Sequence, residues 1–290
     1  MTARDQPALE GNESGKKEQN HAAQRCRLIN ERRLLPRGSP LYSEQGTVVG
    51  ATVVLQDVTR LVRFDELKND LVATVAHEFR TPLTSLRMAI HILVEGTVGR
   101  INEAQADMLF SAREDCERLQ GIVDDLLDLS RIQAGKVEVS PAPISSKALL
   151  EGAVAVREGS AAEAGVKLRS EFAEPVLPVL ADAERVGLIF DNLIGNAVRH
   201  SGRGSEVTVR AEANGKEVRF EVSDHGPGIA PEYRERIFEK FFRVPGTKGE
   251  GIGLGLYISR EIVRAHGGEM GVESEPGKGA RFWFTLPVPG

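Results

Sequence analysis

His77 stands beside Glu78 in the stretch "AHEFRTPLTSL", with Thr81 and Pro82 following four and five residues after the histidine. A neutral, exposed imidazole beside a carboxylate is a nucleophile with a neighbour able to orient or accept its ring proton. A lone histidine is more often a surface or capping residue, so other residues must decide. Zinc is excluded by spacing, because a His-Glu-x-x-His helix needs its second ligand where Thr81 stands. Asn192 and Asn196 fall one helical turn apart in "DNLIGNAVRHS". Two amides on one face offer carbonyl oxygens to a hard cation such as Mg2+, or else form a surface pair with no ligand. Asp224 ends a strand-like run and precedes Gly226 and Gly228. Backbone can approach a flat ligand closely there, unless the segment is only a solvated turn. Gly246, Gly249, Gly251, Gly253 and Gly255 lead into an amphipathic segment. Glycines at a helix N-terminus make a phosphate cradle, although a flexible interdomain loop has a similar composition.

These groups need elements to hold them. Around His77 the apolar residues Leu67, Leu71, Val75, Phe79, Leu83, Leu86, Ile90 and Leu93 recur in steps of three and four, the seam of a long helix. His77 is two residues from Val75, about 200° around the helix, so its ring is expected to face solvent. Pro82 has no N–H for the carbonyl of Glu78, which predicts a loosening or bend just beyond the pair. A second seam, from Ile101 through Met108, Cys116 and Ile122 to Leu129, follows the connection "EGTVGRIN", with Asn102 as N-cap. The two helices make an antiparallel hairpin, more apolar along its seam than one partner can cover. A homodimeric four-helix bundle is therefore expected. From about Pro141 the segments "VKLRSEF", "EVTVRAEA", "EVRFEVSD" and "RFWFTLPV" alternate as strands with helices among them, an α+β sandwich.

Composition narrows the partners. The 290 residues are 41% apolar, enough for two or three units, and 37 basic against 42 acidic side chains leave a net charge of −5. No basic block is present to neutralise a run of phosphates, so nucleic acid is not an expected partner. Cys26 and Cys116 match no metal or disulfide spacing, which suits a reducing compartment. No run of eighteen apolar residues and no signal-peptide core occurs, and the chain as written reads as cytoplasmic, any membrane anchor lying outside it. Residues 1 to about 28 are polar and aperiodic and read as mobile, with Ala22 to Leu28 able to extend a helix. "RRLLPRGSPLY" and "TVVGATVVLQDVT", joined by "SEQG", read as a β-hairpin turning at Gly46. Gly46, Gly50, Asp57, Val58 and Thr59 resemble the closing strands of a PAS domain, here cut short; a hairpin that only props up the next helix is the plainer reading.

In order, the motifs resemble the sensor histidine kinases of two-component systems, over roughly Phe64 to the C-terminus. "AHEFRTPLTSL" resembles the H box, "DNLIGNAVRHS" the N box, "DHGPGIA" the G1 box, "IFEKFFRV" the F box and "GEGIGLGL" the G2 box. The resemblance implies residues 1–60 as a flexible segment and partial PAS-like hairpin, 61–138 as the dimerisation and phosphotransfer hairpin, and 139–290 as an ATP-binding domain of GHKL (Bergerat) type. It implies His77 as phosphoacceptor, assisted by Glu78, and Thr81 as the residue orienting water in a reverse, phosphatase reaction. It further implies ATP held by Asn192, Asn196, Arg199, His200, Asp224, Gly226, Gly228, Ile229, Phe238, Lys248, Gly251, Gly253, Leu254 and Gly255. Asp224 would face the adenine amine and Asn196 would ligate Mg2+. The phosphoryl group would pass to an aspartate in the receiver domain of a response regulator. Two other classes compete: a GHKL-type ATPase doing conformational work, which has no need of the His77 hairpin, and a non-catalytic dimer scaffold, which would expect decay at His77, Asn196 or Asp224.

Overall fold

The computed structural model describes residues 27–29, 32–134, 139–246 and 251–290. The described residues divide into two compact units, one ending at Asp70 and the other beginning at Leu71. In the first, β1 (Arg27–Ile29), β2 (Arg32–Tyr42) and β3 (Val48–Asp57) form an antiparallel sheet in the order β1-β2-β3. The turn between β2 and β3 carries Gly46 at φ +78, a left-handed conformation that costs glycine nothing. Residues 27–29 are strand rather than an extension of a helix, because β2 offers them an antiparallel ladder. The rest of the predicted mobile segment lies outside the described residues. Helix α1 (Thr59–Val94) starts where Asp57 Oδ1 accepts from Thr59 N at 3.0 Å.

In the second unit, α1 and α2 (Glu103–Gln133) form the predicted hairpin. Asn102 caps α2 in a reciprocal pair: its side chain accepts from Gln105 N at 2.9 Å and the Gln105 side chain accepts from Asn102 N. Ala76 and Leu83 of α1 are buried with Val123 and Leu127 of α2, and the Arg80 guanidinium pairs with Asp124 across the hairpin. The predicted seam of α1 divides. Leu83 and Ile90 are buried, whereas Leu71, Val75, Phe79 and Leu86 remain exposed in a single chain. Helix α1 is unbroken at Pro82, since one missing N–H removes one bond from a ladder that the adjoining turns keep. No helix among the described residues is long and apolar enough to cross a membrane.

The C-terminal layer structure is an α+β sandwich. A five-stranded sheet runs β5-β7-β8-β10-β9, where β5 is Lys167–Phe172, β7 Glu206–Asn214, β8 Glu217–Ser223, β9 Met270–Ser274 and β10 Ala280–Pro287. Only the β5–β7 pair is parallel. A separate ladder joins β4 (Ala142–Ser145) to β6 (Pro178–Ala181). Alternation sets the faces: Val209, Val222 and Phe282 lie in register and are buried, as are Ala211, Phe220 and Phe284. Helices α3 (Ser146–Glu163), α4 (Ala183–His200) and α5 (Gly255–Ala265) share that core. Phe190 of α4 meets Phe220 and Phe284 edge-on, with centroids 5.4 and 5.2 Å away. The opposite face carries charge, with Arg219 paired to Glu221 and Glu273 and stacked on Trp283. His266 is buried. Its Nε2 accepts from Asp182 N at 3.0 Å and its Nδ1 donates to Ile262 O, tying the end of α5 to the N-cap of α4.

Candidate functional site

A cleft of about 560 Å³ opens along α4, a volume in the range of small-molecule sites. α4 forms here because Asp182 caps it, accepting from Arg185 N, and because Val186, Ile189, Phe190, Leu193 and Ala197 bury one face. The opposite face is left to the cleft, and Asn192, Asn196, Arg199 and His200 line it. The two asparagines belong to one hydrogen-bonded chain. Asn192 Nδ2 donates to Ser259 Oγ of α5 at 2.9 Å, Asn196 Nδ2 donates to Asn192 Oδ1 at 3.3 Å, and Arg199 Nη1 donates to Asn196 Oδ1 at 3.2 Å. The chain fixes which way each amide points, and presents the Asn196 oxygen among cleft-lining groups.

Asp224 forms the far end of the cleft, immediately after β8. Its Oδ1 accepts from Gly226 N at 2.8 Å and from Ala280 N at 3.2 Å, leaving the second oxygen for a ligand. Burial pushes this carboxyl above the usual range, opposed by those two backbone bonds. Burial, with Arg199 beside it, pushes His200 down, which favours the neutral imidazole. Backbone packing builds this corner. At Gly228, φ is +71 and any Cβ would collide with Glu275 O. Gly226 has no room for a side chain either, since a Cβ would come 2.7 Å from His200 O. The glycine segment opposite is equally close-fitting: a Cβ on Gly253 would meet Phe242 O at 2.6 Å, and one on Gly255 would press on the Asn192 amide.

The predicted residues thus separate into groups. Asn192, Asn196, Arg199, His200, Asp224, Gly228, Ile229, Gly251, Gly253, Leu254 and Gly255 all line the cleft. Gly226 supports it from behind through its bond to Asp224. Phe238 does not line it. Its ring is buried in the core beneath Arg260, and Ile237 and Phe242 face the cleft instead. The 3-10 turn over Arg236–Phe238 turns Phe238 inward, a rotation that sequence spacing does not reveal. Lys248 lies outside the described residues. His77, Glu78 and Thr81 are exposed on α1 and form no part of the cleft wall. Sequence reasoning missed Asp125, Arg157, Leu188 and Asp191, which extend the cleft beyond Asn192. Asp125 comes from α2; Arg157, on α3, pairs with Asp191 on α4. The only signal was the acidic run "DDLLD", which carries no motif.

A nucleotide triphosphate with its cation fits these observations. The cleft is large enough, its lining includes a buried carboxylate with a spare oxygen, and glycines lead into α5. No three His, Cys, Asp or Glu side chains converge among the described residues. The amide oxygen of Asn196 is among the groups this cleft could offer a hard cation that takes its other ligands from phosphate and water.

Comparison with known proteins agrees on the class. Residues 67–135 match the model of the His Kinase A (phospho-acceptor) domain, and residues 181–290 that of the histidine kinase-, DNA gyrase B-, and HSP90-like ATPase. The N-terminal sheet lies outside both. The chain is 36% identical over 251 residues to the alginate biosynthesis sensor protein KinB of Pseudomonas aeruginosa, covering 86% of this chain and 42% of KinB. It is 32% identical over 249 residues to the sensor protein SrrB of Staphylococcus aureus, covering 85% and 42%. Among solved structures, full-length ShkA in complex with AMPPNP aligns with a TM-score of 0.63 at 35% identity, covering 76% of this chain and 46% of ShkA. The chain thus spans about two fifths of the length of the curated relatives it matches.

Proposed function

The chain belongs to the sensor histidine kinases, and from that premise we propose that it transfers the γ-phosphoryl group of ATP to its own His77 and then to a response regulator. The observation that carries the reading is the convergence of Asn192, Asn196, Asp224 and the glycines before α5 on one cleft, in a chain that also exposes His77 on a helical hairpin. Binding of AMPPNP by ShkA supports ATP as the ligand.

In this reading Asp224 accepts from the adenine amine, and Gly228 lets the loop that follows Asp224 pack against Glu275 O. Arg199 donates to phosphate, together with the main-chain N–H groups of residues 251–255. Asn196 would contribute the protein ligand to Mg2+, which would neutralise phosphate charge. A ring nitrogen of His77 attacks the γ-phosphorus as the bond to the β–γ bridging oxygen breaks and ADP departs. Glu78 takes up or orients the ring proton. The nitrogen-bound phosphoryl group then passes to a carboxylate oxygen of an aspartate in a receiver domain, and the histidine is regenerated. Thr81, one turn from His77, orients water for the reverse activity.

The division into residues 1–60, 61–138 and 139–290 belongs to the same proposal. So does the homodimer, which the exposed face of Leu71, Val75, Phe79 and Leu86 supports. ATP and a receiver partner put the reaction in the cytoplasm. Incubation with γ-labelled Mg-ATP should place acid-labile, alkali-stable label on the protein, lost in His77→Gln and Asn196→Asp. Label persisting in His77→Gln would sink the assignment of the phosphoacceptor; a wild type that binds ATP without acquiring label would favour a scaffold.

A further inference from the structure

The cleft is longer than its nucleotide residues require. Its lining on α4 runs from His200, against Asp224, back to Leu188, roughly 18 Å at the rise of an α-helix. The stretch beyond Asn192 is walled partly by the hairpin, through Asp125 of α2. α2 is fixed against the sandwich just beyond this residue and against α1 just before it. Leu126 packs on its core, Leu129 is buried within it, and Arg185 Nη1 of α4 lies 3.5 Å from Asp128 Oδ1. Asp124, on the other side, is taken by Arg80 of α1, one turn from His77. Asp125 makes no ion pair among the described residues. It is half-buried with Asp124 and Asp128 as acidic neighbours, and the nearby Arg157 is paired to Asp191.

A nucleotide with its base at Asp224 and its phosphates along Asn196 and Asn192 points its last phosphate towards this end. We propose that Asp125 is the residue through which the cleft tells a triphosphate from a diphosphate. With α2 docked, its carboxylate closes the phosphate end, so a diphosphate is compatible with docking and a terminal phosphate is repelled. Triphosphate binding and docking of α2 therefore oppose one another, and by linkage each weakens the other by the same factor. ATP thereby releases the nucleotide domain from α2, and ADP lets it settle back. The inference rests on the nucleotide reading and adds to it a determinant of nucleotide selectivity supplied by the hairpin.

The test uses the full chain carrying His77→Gln, so that no transfer intervenes. ADP and AMPPNP are titrated calorimetrically with Mg2+ into this parent and into the same chain with Asp125→Asn, Asp125→Glu or Arg185→Ala. Asp125→Asn should tighten AMPPNP about tenfold and ADP less than twofold. Asp125→Glu, which keeps the charge, should behave as the parent. Arg185→Ala, which loosens docking from the other side, should also favour AMPPNP and should reduce the further gain from Asp125→Asn when the two are combined. Small-angle scattering should show the parent expanding with AMPPNP and not with ADP. Equal effects on both nucleotides, or none in a folded Asp125→Asn variant, would overturn the role of Asp125 while leaving the nucleotide reading intact. A parent that binds neither nucleotide would overturn that reading, and this one with it.

Discussion

Asp224→Asn separates what this side chain does for the fold from what it does for a ligand. Oδ1 already accepts two backbone N–H groups, from Gly226 and Ala280, and an asparagine oxygen in the same place accepts both. Only the second position changes, from an acceptor to an N–H2 donor. An adenine amine would then face another donor, losing a charge-assisted hydrogen bond worth about 1.5–3 kcal/mol. At about 1.4 kcal/mol per decade, AMPPNP affinity should fall roughly ten- to hundredfold. A guanine nucleotide, which offers a carbonyl where adenine offers an amine, should lose far less or gain. Stability should move the other way. Burial raises the Asp224 pKa, so the folded protein holds this proton more tightly than the unfolded chain, and the ionised carboxylate weighs against folding once pH has risen through the folded value. The neutral amide removes that cost, so the melting temperature at pH 7.5 should hold or rise. Calorimetric titration with AMPPNP and GMPPNP beside a melting curve decides it. Equal losses for both nucleotides, unchanged affinity for AMPPNP, or a fall of many degrees in melting temperature would each refute the reasoning.

Three other outcomes follow from the packing and the charges. Phe284→Ala, emptying a site at the centre of the aromatic trio, should destabilise the sandwich by about 3–5 kcal/mol in urea titration; a loss below about 1 would contradict its burial. Phe79→Glu should abolish the proposed dimer in analytical ultracentrifugation without loss of helical circular dichroism, because it charges the exposed face of α1; a wild type that is already monomeric would refute the dimer. Asp125 is raised to about 6, first by burial and then by Asp128 and Asp124. Its contribution to stability is therefore fullest below pH ~3.8 and falls as pH rises to about 6, by at most ~3 kcal/mol and, with partial exposure, about 1 kcal/mol. The stability difference between Asp125→Asn and wild type should grow in favour of the variant across that interval and stay level above it; a flat difference would refute the shift.

What was legible in the sequence depended on how much of each signal is local. β5, β7, β8 and β10 alternate over six to nine residues and read directly. β4 and β6 span four residues each, β6 begins at Pro178 and β9 contains Gly271, so their pairing comes from tertiary context. Steps of three and four found the face of α1, but not that Leu83 and Ile90 would be buried while Val75 and Phe79 were not. That division depends on where α2 lies across it. In the cleft, the residues proposed to hold the nucleotide sit in short runs around Asn192, Asp224 and Gly253, each with its own chemical logic. Asp125 and Arg157 are brought there by helices far away in sequence, and nothing in their neighbours marks them. Phe238 is buried behind the cleft wall, where a single 3-10 turn leaves Ile237 and Phe242 on the lining.

The corner around Asp224 is closed by main chain rather than by side chains. A Cβ at Gly226, Gly228 or Gly279 would strike the protein's own backbone: His200 O, Glu275 O and Asp224 O respectively. For an inhibitor that competes at this corner, escape by mutation is correspondingly narrow. A substitution that would crowd out the drug at these positions must first displace the strand end and loop that hold Asp224, and so disables the target along with the binding of the drug. Resistance would have to arise farther along the cleft, at side chains such as Arg199 or Ile252, and compounds kept small and close to the corner would leave it the fewest routes.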